Sequence, residues 1–174
     1  MKKVLGLLLS IAAVTAAADA QTGLYVGVGA GAGWNDAASP AAAFRLDGGY
    51  QITPGFAVEV GTTGVTQSGS SAVNANQQMY DLSAKGTLPL GDMFDLFLQV
   101  GGAYQTTGVP ALPTEASTYG GHFDQAGWQF LTGGGLDINL TKSVAFNVTD
   151  LYYYGSNNAL GNSNVVLGGV KFSF

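Results

Sequence analysis

The sequence predicts an all-β fold, eight antiparallel strands joined up-and-down and closed into a transmembrane β-barrel. Three observations predict it. Beyond residue 20, apolar side chains recur with period two, and no sustained helical period is seen. The connections alternate between short and long, as in a barrel whose turns lie on one side of a membrane and whose loops lie on the other. The face opposite the apolar one is built of Gly, Ser, Thr, Gln and Asn with few ions, which suits a narrow interior better than a wet surface.

Composition sets the limits. The chain has 174 residues, enough for one domain, with a formal net charge of −5 and a charged fraction of 10%. A soluble surface usually carries about 25–35% charged residues. Hydrophobic residues make up 47% and there are 27 glycines. With no cysteine, disulfides and thiolate metal sites are excluded. The shortage of positive charge excludes a nucleic-acid partner, which needs a basic footprint.

Residues 1–20 read as a cleavable signal peptide. "MKK" is a basic start, "VLGLLLSIAAV" an apolar core too short to span a bilayer, and "ADA" before Gln21 a small-x-small cleavage site. Residues 21–174 are expected to form the barrel, outside the cytoplasm.

The strands follow in order. "GLYVGVGAGAGW" places Leu24, Val26, Val28, Ala30, Ala32 and Trp34 on one face, with Tyr25 and glycines opposite. "AAAFRLDGGYQI" sets Ala42, Phe44, Leu46, Tyr50 and Ile52 against Arg45, Asp47 and Gln51. "FAVEVGT" sets Phe56, Val58 and Val60 against Glu59, and "YDLSAKGTLPL" sets Tyr80, Leu82, Ala84 and Leu88 against Asp81, Ser83, Lys85 and Thr87. "FDLFLQVGGAY" opposes Phe94, Leu96, Leu98, Val100 and Tyr104 to Asp95, Gln99 and Gly101. "GWQFLTGGGLDI" opposes Trp128, Phe130, Leu136 and Ile138 to Gln129, Gly133, Gly135 and Asp137. "VAFNVT" opposes Val144, Phe146 and Val148 to Asn147 and Thr149. The eighth strand opposes Val166, Val170, Phe172 and Phe174 to Gly169, Lys171 and Ser173. Most are expected to run about 10 to 12 residues, close to the ~9–11 that cross a bilayer when tilted.

Short turns are expected at "TPG" around Pro54, at "LGD" around Gly91 and at "LTKS" around Lys142. Longer polar loops are expected over about residues 35–40, 67–77, 106–125 and 155–162.

Alternation alone also fits a soluble eight-stranded barrel. The polar face decides, because an outer surface in water would carry many Lys and Glu residues, and this face is nearly all glycine in the first strand. An apolar exterior is then stable against lipid. Aromatic residues gather in two bands: Trp34, Tyr104, Trp128 and the run Tyr152, Tyr153, Tyr154 at the long-loop end, and Tyr50, Phe56, Phe94, Phe172 and Phe174 at the short-turn end. Bands of this kind flank the aliphatic middle of an outer-membrane barrel at headgroup level.

The last eight residues, "LGGVKFSF", resemble the C-terminal assembly signal of bacterial outer-membrane proteins. Gly169 stands at its third position and Phe172 and Phe174 at its sixth and eighth; Leu167 departs from its usually polar first position. Together with the signal peptide, the whole chain resembles the small eight-stranded group that includes the OmpA transmembrane domain, OmpX, OmpW and the opacity-type proteins. The resemblance implies a Gram-negative outer membrane as the location, its bilayer and lipopolysaccharide as surroundings, handling by the outer-membrane assembly machinery, and a monomer. The chain ends at the eighth strand, so the peptidoglycan-binding domain of full-length OmpA proteins is not expected.

Arg45, Glu59 and Lys85 fall on the interior face of the second, third and fourth strands. In a dry interior, unpaired charges are costly, so a paired network is expected. OmpA-like barrels are similar in holding such a network. It reads either as a structural plug or as a gate in a narrow pore. Asp81, Asp95, Asp137 and Lys171 read as nearer the strand ends, in solvated or rim positions. Asp150 breaks the pattern, because strict alternation turns it to lipid; a bulge at Thr149 or Asp150 would return it to the interior and turn Leu151 and Tyr153 outward.

No catalytic constellation is present. His122, the sole histidine, lies in the long loop "TYGGHFDQAG"; where deacylase-type barrels pair their His with a Ser two residues on, this chain has Asp124, and no nucleophile at fixed spacing accompanies it. No cofactor and no metal set is expected, since scattered carboxylates are the only ligands left. The expected function is that of a structural and surface-interaction barrel, its third long loop, with Pro110 and Pro113, forming a possible contact surface for an extracellular partner. The alternative is a narrow pore for small, hydrophobic solutes, as the OmpW likeness suggests.

Overall fold

The computed structural model describes residues 22–35, 38–67, 75–108, 125–155 and 161–174. Eight strands follow one another: β1 (Gly23–Asn35), β2 (Ala38–Thr53), β3 (Phe56–Gln67), β4 (Ala75–Pro89), β5 (Phe94–Gly108), β6 (Gln125–Asn139), β7 (Val144–Gly155) and β8 (Ser163–Ser173). Each pairs antiparallel with its sequence neighbours, and β8 returns to β1, so the sheet closes with no free edge. In lipid this closure is obligatory, because water is not there to satisfy an edge. It extends to the last residue, where the Phe174 amide donates to the Leu24 carbonyl at 2.9 Å.

The alternation read from the sequence holds around the barrel. Leu24, Leu46, Val60, Leu82, Leu98, Phe130 and Val148 are exposed on the outer face, while Tyr25, Arg45, Glu59, Ser83, Gln99 and Gln129 are buried within. The strands are longer than expected, at 11 to 16 residues. The difference lies at the loop ends. β2 begins at Ala38, so most of the stretch read as a first long loop is strand. β4 begins at Ala75, ahead of the Tyr80 where its apolar alternation starts. The signal segment, the three other long loops apart from their margins, and His122 lie outside the described residues.

The strands are strongly staggered. A row of paired residues that leaves β5 at Leu98 passes Gly134, Asp150, Val166, Ala32, Ala42, Thr66 and Asn76, and returns to β5 at Gly108, ten residues further along. Such a shear tilts every strand and fixes which side chains meet across the lumen.

The expected bulge in β7 is absent. The pairings of β7 with β6 and with β8 run without a register shift through Thr149, Asp150 and Leu151. Asp150 therefore stays on the outer face, and Leu151 and Tyr153 are fully buried inside. Of the expected aromatic run, Tyr152 and Tyr154 face outward and Tyr153 does not. Two large apolar side chains gain the core and only one carboxylate is left outside. A bulge would reverse that exchange and break the ladder on both sides.

Candidate functional site

The lumen is layered. Toward the loop end, Val65, Met79, Ala103, Leu131, Leu151, Tyr153 and Val165 form one buried apolar cluster. Below it, toward the short turns, lie the ions. The long charged side chains span an interior only eight strands around, so each can reach a partner on another strand.

Arg45 of β2 is the hub. Its guanidinium donates to both carboxylate oxygens of Asp81 on β4, at 2.7 and 2.9 Å, and to Glu59 Oε1 on β3 at 3.1 Å. It also donates to the Thr63 hydroxyl at 2.9 Å. Its Nε stands 3.5 Å from Asp47. Paired N–H groups in a fixed fork match a carboxylate in direction as well as charge. The Tyr153 hydroxyl reaches down from the apolar layer to Thr63 at 3.1 Å, tying the two layers together. Gly61 makes room for the hub: a Cβ there would collide with the guanidinium.

Glu59 joins the hub to the next level. It accepts from Tyr25 at 2.8 Å and from Gln99 Nε2 at 2.9 Å, and Lys85 lies 3.8 Å away. Gln99 also donates to Ser83 Oγ at 2.6 Å. Lys85 reaches past β5 to Asp137 of β6, again at 3.8 Å, and its ammonium sits 3.8 Å from the centre of the Phe97 ring. At that separation the π-face attracts the cation, most strongly where water is excluded. Lys171 of β8 completes the lower level with a close ion pair to Asp137.

The structure thus brings Arg45, Glu59 and Lys85 together, with Glu59 between the two cations. It also corrects the reading of Asp81, Asp137 and Lys171 as rim residues. Asp81 lies mid-strand because β4 starts five residues earlier than its apolar alternation, and the stagger sets it level with Arg45. Asp137 stands near the end of β6 but is 0% exposed, because Lys85 and Lys171 converge on it. Asp95 keeps its rim position and accepts from Asn139 at 2.7 Å. Tyr25, Phe97, Gln99 and Tyr153 were not recognised as members of the site. Phe97, Leu131 and Leu151 could have been found from the one signal they leave, adjacent apolar residues that break strict alternation.

Among the described residues, three cations (Arg45, Lys85, Lys171) meet four carboxylates (Asp47, Glu59, Asp81, Asp137) in the ion pairs of the lumen. Asp47 is the least engaged, with one long contact to Arg45. Such a set can cross-link strands and fill space. Among the described residues no cluster of His, Cys, Asp and Glu fit to hold a metal ion is present.

On the outer wall, Trp34, Tyr104, Trp128, Tyr152, Tyr50, Phe56 and Phe94 all face away from the lumen, Trp128 with 70% of its surface exposed. Tyr104 and Trp128, paired across β5 and β6, meet edge to face at 5.3 Å. Phe172 and Phe174 also face outward. Gly169 faces the lumen, where a Cβ would lie 2.5 Å from Asn147 Oδ1.

A family model described as "Outer membrane protein beta-barrel domain" matches residues 4–174. Solved structures of similar fold include Neisserial surface protein A, with TM-score 0.69 and 15% identity over 87% of this chain and 96% of that one. The N-terminal β-barrel domain of Pseudomonas aeruginosa OprF gives 0.63 and 17%, over 88% of this chain and all of that one. Ail, the attachment invasion locus protein of Yersinia pestis, gives 0.60 and 13%, over 88% and 97%. No curated protein matches in sequence.

Proposed function

Because this chain belongs to the outer membrane protein beta-barrel domain family, we propose that it is a sealed structural barrel, which anchors surface loops in the outer membrane and does not conduct solutes. One observation carries the reading: the Arg45–Asp81 pair lies directly beneath the buried Met79, Leu131 and Leu151 layer. A permeant ion would have to displace an apolar layer and then separate bidentate partners. The ion pairs add stiffness by linking β2, β3, β4, β6 and β8 across the interior.

The rest of the reading follows from the membrane setting. Residues 1–20 act as the export signal, and the assembly machinery recognises Gly169, Phe172 and Phe174. The belts settle among lipid and lipopolysaccharide, and the third long loop expected from the sequence, at about residues 106–125, is the contact surface for an extracellular partner. The test is conductance of the refolded protein in planar bilayers. Silence supports the sealed barrel. Discrete single-channel steps would replace it with the narrow-pore reading.

A further inference from the structure

One part of the outer wall is not built for lipid. Asp150 is exposed on the outer face of β7, and among the described residues its carboxylate forms no ion pair or hydrogen bond. It lines a recess of about 310 Å³ together with Leu98, Thr132, Gly133, Gly134 and Tyr152. The next row of paired residues toward the loops carries Thr132, Tyr152 and Asn164, all hydrogen-bonding side chains. The Asn164 side-chain oxygen is buried without a partner. On its own strand, Asp150 lies between outward-facing Phe146 below and Tyr152 and Tyr154 above, inside the aromatic belts and not at their edge. A lipid headgroup stops too shallow to answer it, so an occupant must bring donors at that depth, and an ionisable group facing lipid needs a partner.

The wall itself supplies them. The stagger of the strands rises from β6 to β7, so Thr132, one row up on β6, stands nearly level with Asp150. A closed, self-complementary pair of copies embedded in the same orientation has its two-fold axis along the membrane normal, which brings together residues of equal depth. With that axis between β6 and β7, Asp150 of one copy faces Thr132 of the other, and the contact occurs twice. Gly134, whose missing side chain would point outward beside Leu98, leaves the recess that lets the walls approach closely. We propose that the β6–β7 wall is a self-complementary surface through which two copies of this chain pair in the membrane, Asp150 of each accepting a hydrogen bond from the Thr132 hydroxyl of the other. It departs from the monomer expected from the sequence.

The test is energy transfer between donor- and acceptor-labelled copies in phosphatidylcholine vesicles. The label is placed on a cysteine substituted for Asp92, exposed in the β4–β5 turn of a chain that has no other cysteine. Transfer should fall as lipid dilutes the protein. Asp150→Leu and Thr132→Val should each weaken association about tenfold, while Asp150→Asn, whose amide oxygen still accepts, should retain most of it. The heat-modifiable gel shift checks that each variant is folded; Thr132→Val keeps the carboxylate and serves if Asp150→Leu does not fold. Absence of transfer at every density, or association of a folded Asp150→Leu or Thr132→Val as tight as that of the unsubstituted chain, overturns the proposal. Selective retention of phosphatidylethanolamine by a protein that shows no transfer overturns it too, assigning the recess to an ammonium headgroup.

Discussion

Arg45 and Asp81, on strands separated by β3, face each other inside the barrel in a two-point contact of 2.7 and 2.9 Å. Both are buried, and Arg45 also holds Glu59. Removing one member of such a pair leaves the other charged, buried and unanswered, at a cost of about 3–5 kcal/mol. Arg45→Met should therefore lower stability by that order in urea unfolding of the vesicle-inserted protein. Arg45→Met combined with Asp81→Leu should cost clearly less than the two single changes added together, because residues in contact do not act independently.

Asp47 is expected to behave differently. Among the described residues, the ion pairs of the lumen set four carboxylates against three cations, and Asp47 has one contact, 3.5 Å from Arg45 Nε. Asp47→Asn removes the excess charge and keeps the shape. Its stability should match or exceed that of the unsubstituted protein in the same urea assay, where Asp81→Asn should lose stability.

The apolar layer is testable apart from the ions. Leu131 and Leu151 are both fully buried within the lumen. Leu131→Ala should cost about 2–5 kcal/mol through lost contacts and an unfilled cavity. If the layer is the seal, Leu131→Ser with Leu151→Ser should admit water and show bilayer current where the unsubstituted protein shows none.

Phe174 separates assembly from stability. It is 77% exposed on the outer face, while its backbone amide closes the ladder onto Leu24. Phe174→Ala keeps that hydrogen bond. Its unfolding midpoint in vesicles should change little, and its insertion by the cellular assembly machinery should slow markedly. Equal insertion of both forms in a pulse-chase would remove Phe174 from the assembly signal.

The sequence made the wall legible and the interior only partly so. Alternation assigned Leu46, Glu59 and Lys85 to their faces because a strand has one period, and a closed sheet one buried side. Alternation says nothing of which strand a lumen side chain reaches. That depends on the stagger, which places Asp81 level with Arg45 and lets Lys85 reach past β5 to Asp137. The polar reading of the lumen missed its apolar layer because Leu131 follows Phe130, and Leu151 precedes Tyr152, in runs where both faces are apolar. Asp150 misled for a related reason. Alternation carries the cost of one outward carboxylate but not the opposing cost of expelling Leu151 and Tyr153 from the core.

Everything rests on the sorting of apolar side chains toward acyl chains and of ions toward the closed centre. The two tryptophans, Trp34 and Trp128, both face outward near the loop end, so selectively excited tryptophan fluorescence reports on that wall alone. The most direct measurement is quenching of this fluorescence in vesicles, comparing lipids brominated near the headgroup, lipids brominated near the chain end, and aqueous iodide. Strong quenching by the shallow bromines, weaker quenching by the deep ones and weak quenching by iodide is the expected result. Full quenching by iodide with none from either lipid would mean that this wall faces water, and would contradict the account.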